Sequence, residues 1–186
     1  MAKYNVPHAT YDEFKAAVNG HAYDMDGLYG AQCWDGVELL YTQNDIGQHL
    51  ITGNGVAKGC WQNANARAIN GSGHFSQVIN KADIKKGDII VFNTYSGWYG
   101  STGHIAFADE DYNGTTMIRI LGQNQGPNSN PQTGTPFNIQ NSYLGNAFLG
   151  AFRYDRWQSP TPPTPTPTEE KRHFPWPIAW EHWGWK

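Results

Sequence analysis

Charge is scarce in this sequence. Only 16% of its 186 residues are Lys, Arg, Asp or Glu, against about 25% in ordinary soluble domains, and the formal net charge is -3. A general electrostatic grip on nucleic acid needs clustered Lys and Arg, so nucleic acid drops out as a partner class. Long apolar runs are missing as well. No stretch reaches the roughly 18 residues of a membrane span, and Met1 to His8 lacks the apolar run of a secretory signal. The chain therefore reads as made in the cytoplasm, with no membrane span and no signal peptide. Cysteine is the third scarcity. Cys33 and Cys60 can form one bridge at most, not the disulfide framework of a small secreted domain, which leaves a thiol available for chemistry.

What is present suffices for a core: aromatics make up 14% of the chain and the hydrophobic class 39%. The length fits one domain with an appendage. The one sharp compositional break is Ser159-Pro-Thr-Pro-Pro-Thr-Pro-Thr-Pro-Thr168, an extended polyproline II spacer about 30 Å long. We divide the chain into a domain over 1–157, a Pro/Thr linker over 158–168 and a tail over 169–186. The tail holds Trp176, Trp180, Trp183 and Trp185 and is too short to fold alone. Its readings are a sugar- or wall-binding patch, an interfacial anchor, the start of a wall-binding module, or packing against the main domain.

Within the domain, Thr10-Tyr-Asp-Glu13 reads as a capping box. Tyr11, Phe14 and Val18 then recur at helical spacing until Gly20. A second helix is expected from Cys33 to before Gly47, with Trp34, Val37, Leu40 and Tyr41 on one stripe. Gly53 to Ser76 reads as loop-rich. Sheet signals follow in Ile89-Ile-Val-Phe92, His104-Ile-Ala-Phe-Ala108, Thr116 to Leu121 and Phe148 to Tyr154. Helices first and antiparallel strands after argue for an α+β fold.

Cys33, at the head of the second helix, sits where unsatisfied N–H groups and the helix dipole favour a thiolate. Cys60 is the rival nucleophile, but it lacks a polar setting and is expected to be packed. Among seven histidines, His104 opens a strand behind a glycine. A two-residue Asn113–Gly114 hairpin would set it opposite Gln123, with Asn124 beside it, unless a bulge shifts the register by one. An amide would then orient an imidazole that takes and returns a proton. Beside the cysteine, Asp24, Asp26 and Asp35 occupy positions 1, 3 and 12 of a twelve-residue loop, the spacing of an EF-hand calcium loop. Leu28, Tyr29 and the Asp at position 12 depart from that motif. Leu28 and Gly30 are left as backbone-carbonyl ligands. Unneutralised, three carboxylates would repel one another and oppose the thiolate, so Ca²⁺ is the expected structural cofactor. The other reading of this loop is an Asp-rich turn capping the helix.

Four segments in this order, Tyr29-Gly-Ala-Gln-Cys-Trp-Asp35, Lys86-Gly-Asp-Ile-Ile-Val-Phe92, Gly103-His-Ile-Ala-Phe107 and Ile120-Leu-Gly-Gln-Asn124, resemble the cysteine, histidine-dependent amidohydrolase/peptidase (CHAP) domain of phage endolysins and bacterial wall hydrolases. The resemblance runs from about Tyr11 to Tyr154. It implies a papain-like (NlpC/P60-type) fold, with N-terminal helices packed on an antiparallel sheet, and cleavage of amide bonds in peptidoglycan. It also implies Cys33 as nucleophile, His104 as general base, Asn124 as its orienting partner, and the Cys33 N–H with Gln32 as oxyanion donors. Some relatives hold calcium at these offsets from the cysteine. Many read Glu-Gln-Asn where this chain has Gly122-Gln123-Asn124, so the acidic member is missing and either Asn124 suffices or another group compensates.

The leading expectation is therefore a monomeric phage endolysin acting on the wall of a Gram-positive host after holin release or lysis. It would be an N-acetylmuramoyl-L-alanine amidase or a D-alanyl-glycyl-type endopeptidase. Trp98, Tyr95, Tyr99 and Gln123 are candidate substrate-binding residues. Two other classes fit the same residues: a catalytically inactive wall-binding module, and a papain-like protease acting on proteins.

Overall fold

The computed structural model describes residues 7–44 and 46–157; the linker and tail assigned to 158–186 lie outside the described residues. Helix α1 (Tyr11–Val18) is capped by Thr10, whose hydroxyl accepts the Glu13 N–H at 3.2 Å. The Glu13 carboxylate returns to the N–H of Ala9 rather than to that of Thr10. Helix α2 (Cys33–Gln43) begins at the expected residue, and Asp35 in its first turn accepts the Gln32 N–H at 2.9 Å. The one-sided stripe expected for α2 is not what forms, because the helix is buried from Asp35 to Tyr41. Glu38 tolerates burial there because its carboxylate accepts the Leu50 N–H at 2.8 Å and meets His49 Nδ1 at 2.5 Å.

The stretch read as loop contains α3 (Gly59–Gln62), α4 (Ala64–Asn70) and strand β1 (Phe75–Val78). None is long enough to carry a periodic signal. Asn63, between the two helices, caps the second by accepting the Ala66 N–H at 3.0 Å. Cys60 is a buried thiol in α3, as expected.

Five further strands complete the sheet: β2 (Ile89–Phe92), β3 (His104–Ala108), β4 (Met117–Gly122), β5 (Asn138–Tyr143) and β6 (Phe148–Tyr154). They lie in the order β1-β6-β2-β3-β4-β5, every pairing antiparallel. The architecture is the expected α+β one. Side chains alternate across the sheet: Ile89, Val91, Ile105 and Phe107 pack with Phe14, Val37, Leu40 and Tyr41 of the helices. Ile90, Phe92, Ala106 and Ala108 pack on the other face with Ile118, Ile120 and Leu144. Both faces are covered, which is why β2 and β3 read as unbroken apolar runs. Strand β5 was not anticipated, its Asn-Ile-Gln-Asn-Ser-Tyr sequence being mostly polar.

The β3–β4 connection is not a two-residue hairpin. Asn113 and Gly114 turn within a longer excursion closed by Asp109 N–H donating to Arg119 O at 2.8 Å, and the Asn113 side chain accepts from the N–H and hydroxyl of Thr115. The pairs Phe107↔Leu121 and Ala108↔Ile120 stand one residue out of the expected register. Continued to His104, that register faces the ring with Asn124 rather than Gln123.

Candidate active site

Cys33 is the first residue of α2, and it opens with His104 onto one cleft of about 1270 Å³. Burial pushes its thiol up to about 11, while the backbone N–H groups of Ile105, Trp34 and Cys33 itself favour the anion and the Asp35 carboxylate opposes it. Ile105 follows His104 on β3, so the sulfur lies against the strand that carries the imidazole. Burial therefore works against the thiolate expected at this helix N-terminus. The helix N-terminus does favour the anion, but desolvation outweighs it.

His104 is buried, stacked on Tyr99 with ring centroids 5.7 Å apart and planes 9° from parallel. Burial pulls its imidazole down to about 4, against the raising effect of a hydrogen bond with Gln125. Burial thus disfavours the charged form of both groups. Gly103 (φ +70°) admits the strand, since a Cβ there would stand 2.4 Å from the Phe92 carbonyl oxygen and 2.7 Å from Lys58 Cβ.

Three consecutive amides divide the work around this pair. Gln123, expected at the substrate, is fully buried and structural. Its Oε1 accepts the Tyr23 N–H at 2.7 Å, and its Nε2 donates to the carbonyls of Tyr23 (2.9 Å) and Gln32 (3.0 Å), joining the segment before the nucleophile to the sheet. Asn124, expected to orient His104, instead has φ +49°, donates from Nδ2 to Gln32 Oε1 at 2.5 Å and accepts the Asn130 N–H at 2.6 Å. The group against His104 Nε2 is Gln125 Oε1, at 3.1 Å. Sequence reasoning missed Gln125, which reaches the ring because Asn124 turns away at φ +49° and Gln125 folds back over Gly122.

Gln32 lines the cleft, but its Nε2 already donates to Tyr29 O at 2.5 Å, so its amide is committed to holding the loop. The first-turn N–H of Cys33 is the better-placed oxyanion donor of the expected two. Trp98 lines the cleft and is 46% exposed. Tyr99 lines it from beneath, buried, with its hydroxyl 2.8 Å from both Ser142 Oγ and the Tyr143 carbonyl. Tyr95 is not a cleft wall and stacks on Tyr143 with centroids 4.3 Å apart. Leu28 and Tyr29, 58% and 71% exposed, add an apolar wall that the sequence reading did not assign to substrate.

The loop before Cys33 brings oxygens of Asp24, Asp26 and Asp35 within 4.8 Å of one another. Asp24 accepts the Gly27 N–H, Asp26 the Leu28 N–H, and Asp35 the N–H groups of Met25 and Gln32. Asp35 is buried and its carboxyl is pushed up to about 6, chiefly by desolvation and further by Asp26 and Asp24. All three donors are hard oxygens, as a Ca²⁺ ligand set requires. The loop carries left-handed residues at Gly27, Tyr29 (φ +62°) and Gly30. At Gly30 a Cβ would stand 2.1 Å from the Thr133 carbonyl oxygen, and the neighbouring Ala31 bridges to Gly134.

Comparison with known proteins points to one family. A family model described as CHAP domain matches residues 22–124. The D-alanyl-L-alanine endopeptidase of Streptococcus phage B30 is 35% identical over 118 residues, which are 63% of this chain and 25% of that protein. The chain thus spans about a quarter of the length of that curated relative. The crystal structure of wild-type endolysin LysIME-EF1 aligns with TM-score 0.60 and 20% identity, covering 78% of this chain and 64% of that one. At that identity the likeness concerns the fold alone.

Proposed function

Because the chain belongs to the CHAP domain family, we propose that it is a peptidoglycan hydrolase of the endolysin type, cleaving an amide bond through Cys33 and His104. The observation that carries the reading is the shared cleft, with the sulfur set against the backbone of β3 beside the imidazole. His104 takes the thiol proton as Cys33 attacks the carbonyl carbon, and the tetrahedral oxyanion leans on the first-turn N–H of α2. The imidazolium then protonates the leaving amine, which departs and leaves a thioester. Water, deprotonated by the again neutral His104, attacks that thioester, and the sulfur recovers its proton as the acid is released. Starting from a neutral pair, the enzyme needs a base that is unprotonated at working pH, and burial of His104 supplies one.

Calcium belongs to the same reading. Asp24, Asp26 and Asp35, with the carbonyls of Leu28 and Gly30, would hold it, and the ion would neutralise the carboxylates next to the nucleophile. Trp98, Leu28 and Tyr29 form walls for the substrate. Likeness to the phage B30 D-alanyl-L-alanine endopeptidase favours a stem-peptide endopeptidase over a muramoyl-L-alanine amidase. Action as a monomer on the wall of a Gram-positive host, reached after holin release or lysis, completes the proposal.

Clearing of a cell-wall suspension by the wild type and by Cys33→Ala tests it. Equal clearing by the two would leave a wall-binding module instead of an enzyme. Casein turnover at a rate above wall clearing would favour a protease of proteins. Mass spectrometry of digested peptidoglycan identifies the bond: a new N-terminus within the peptide marks an endopeptidase, and a released lactyl carboxyl marks an amidase.

A further inference from the structure

Position 122 carries no side chain, yet the space beside it is filled. A Cβ built on Gly122 would lie 2.7 Å from Gln125 Oε1 and 2.9 Å from Ala106 Cβ. Gln125 thus folds back over the glycine, and from there its Oε1 stands 3.1 Å from His104 Nε2. The amide is held the right way round. Its Nε2 donates to the Asn138 carbonyl at 2.8 Å and reaches Asn138 Oδ1 at 3.3 Å. A backbone carbonyl only accepts, so the amide nitrogen faces Asn138 of β5 and the amide oxygen faces the imidazole. Both Gln125 and His104 are 6% exposed, which leaves little room for water to replace either bond. Gln125 also lies one residue beyond the stretch matched by the family model.

Building on the proposed hydrolase, we infer that Gln125 is the positioning residue of His104, seated in the space that the glycine at 122 leaves open and anchored by Asn138. Its oxygen accepts from Nε2–H, so the neutral ring carries its proton on Nε2 and keeps Nδ1 as the lone pair that receives the Cys33 proton. When the ring becomes imidazolium, the bond to Gln125 strengthens without adding a negative charge. Gly122 and Gln125 therefore act as a pair: a side chain at 122 evicts the amide, and loss of the amide frees the ring.

Two readouts test this. Long-range ¹H–¹⁵N correlation spectra of the full chain, needing no substrate, should show His104 as a single Nε2–H tautomer, and Gln125→Ala should populate both tautomers. In wall clearing, Gln125→Ala should lower kcat by about 10- to 100-fold with KM nearly unchanged, the loss of one hydrogen bond to a group that becomes charged. Gln125→Glu should recover much of that rate while moving the acid limb of the pH profile upward, because a carboxylate stabilises the imidazolium. Gly122→Ala should reproduce the loss in the wild type and add little on top of Gln125→Ala. Circular dichroism confirms that each variant is folded. An Nδ1–H tautomer in the wild type, or an unaltered tautomer, rate and pH profile in Gln125→Ala, overturns the assignment. A wild type no faster than Cys33→Ala refutes the hydrolase reading while leaving the tautomer measurement to stand on its own.

Discussion

Gly103→Ala perturbs both the fold and the site through one added carbon. Gly103 has φ +70°, where an alanine pays about 1–2 kcal/mol for the left-handed backbone. Its Cβ would also sit 2.4 Å from the Phe92 carbonyl oxygen and 2.7 Å from Lys58 Cβ. The first of these is a backbone atom in a central strand, unable to rotate away, so overpacking adds about 1–3 kcal/mol. The sum, about 2–5 kcal/mol, is a large fraction of the 5–15 kcal/mol that holds a typical domain together. For a domain of this size it corresponds to a fall in Tm of roughly 4–20 °C. Relief comes by moving residues 103 and 104 away from β2, where Phe92 pairs with His104, and a displacement of about 1 Å at a catalytic base costs on the order of a hundredfold in rate. Thermal unfolding by circular dichroism, with wall clearing measured well below the lower Tm, reads both effects. Gly100→Ala is the control, because no atom lies within 4 Å of its added carbon. If Gly103→Ala melts and clears like Gly100→Ala, the close approach of β3 to β2 does not position the imidazole and the reasoning fails.

Chelation should lower Tm by roughly 5–10 °C if calcium is present at about a hundred times its Kd. Asp24→Asn should melt like the chelated wild type and show no response to added calcium; a chelator that changes neither Tm nor clearing removes the ion from the mechanism. The folded imidazole of His104 lies near 4, below its ordinary 6.5. The unfolded chain thus binds more protons between those values. The stabilisation from keeping the ring neutral is complete above about pH 6.5 and is lost as pH falls toward 4. Melting across pH 4–7 should show this slope in the wild type and a shallower one in His104→Phe. Trp98→Ala should raise KM by about 3- to 10-fold with kcat held, as expected for a wall that binds substrate and transition state alike; an unchanged KM would remove Trp98 from the binding surface.

Much of the plan was written locally. The start of α2 at Cys33 follows from the Asp35 that accepts the Gln32 N–H in its first turn. The strands of the central sheet follow from β-branched and aromatic runs too short to be helices, and the carboxylate loop follows from spacing alone. In residues 59–70 the run of Ala64, Ala66, Ala68 and Ile69 hinted at a helix after Cys60, but helices of one and two turns are too short to show a period. Strand β5 escaped because an edge strand with polar side chains is stabilised by pairing with β4, a contact that no local pattern records.

Chain chemistry alone settled that a cysteine heads a helix, a histidine opens a strand and three amides follow the next one, because helix caps, strand propensity and residue type are properties of neighbours in sequence. Which amide meets the imidazole was decided by the tertiary structure. The register points Asn124 at His104, but Asn124 turns out at φ +49° to bond Gln32 and Asn130, and Gln125 folds back over Gly122 to take its place. The burial that disfavours charge on the cysteine and the histidine was decided there too. A helix N-terminus can be read from a sequence, but the desolvation that outweighs it comes from residues far along the chain packed around both groups.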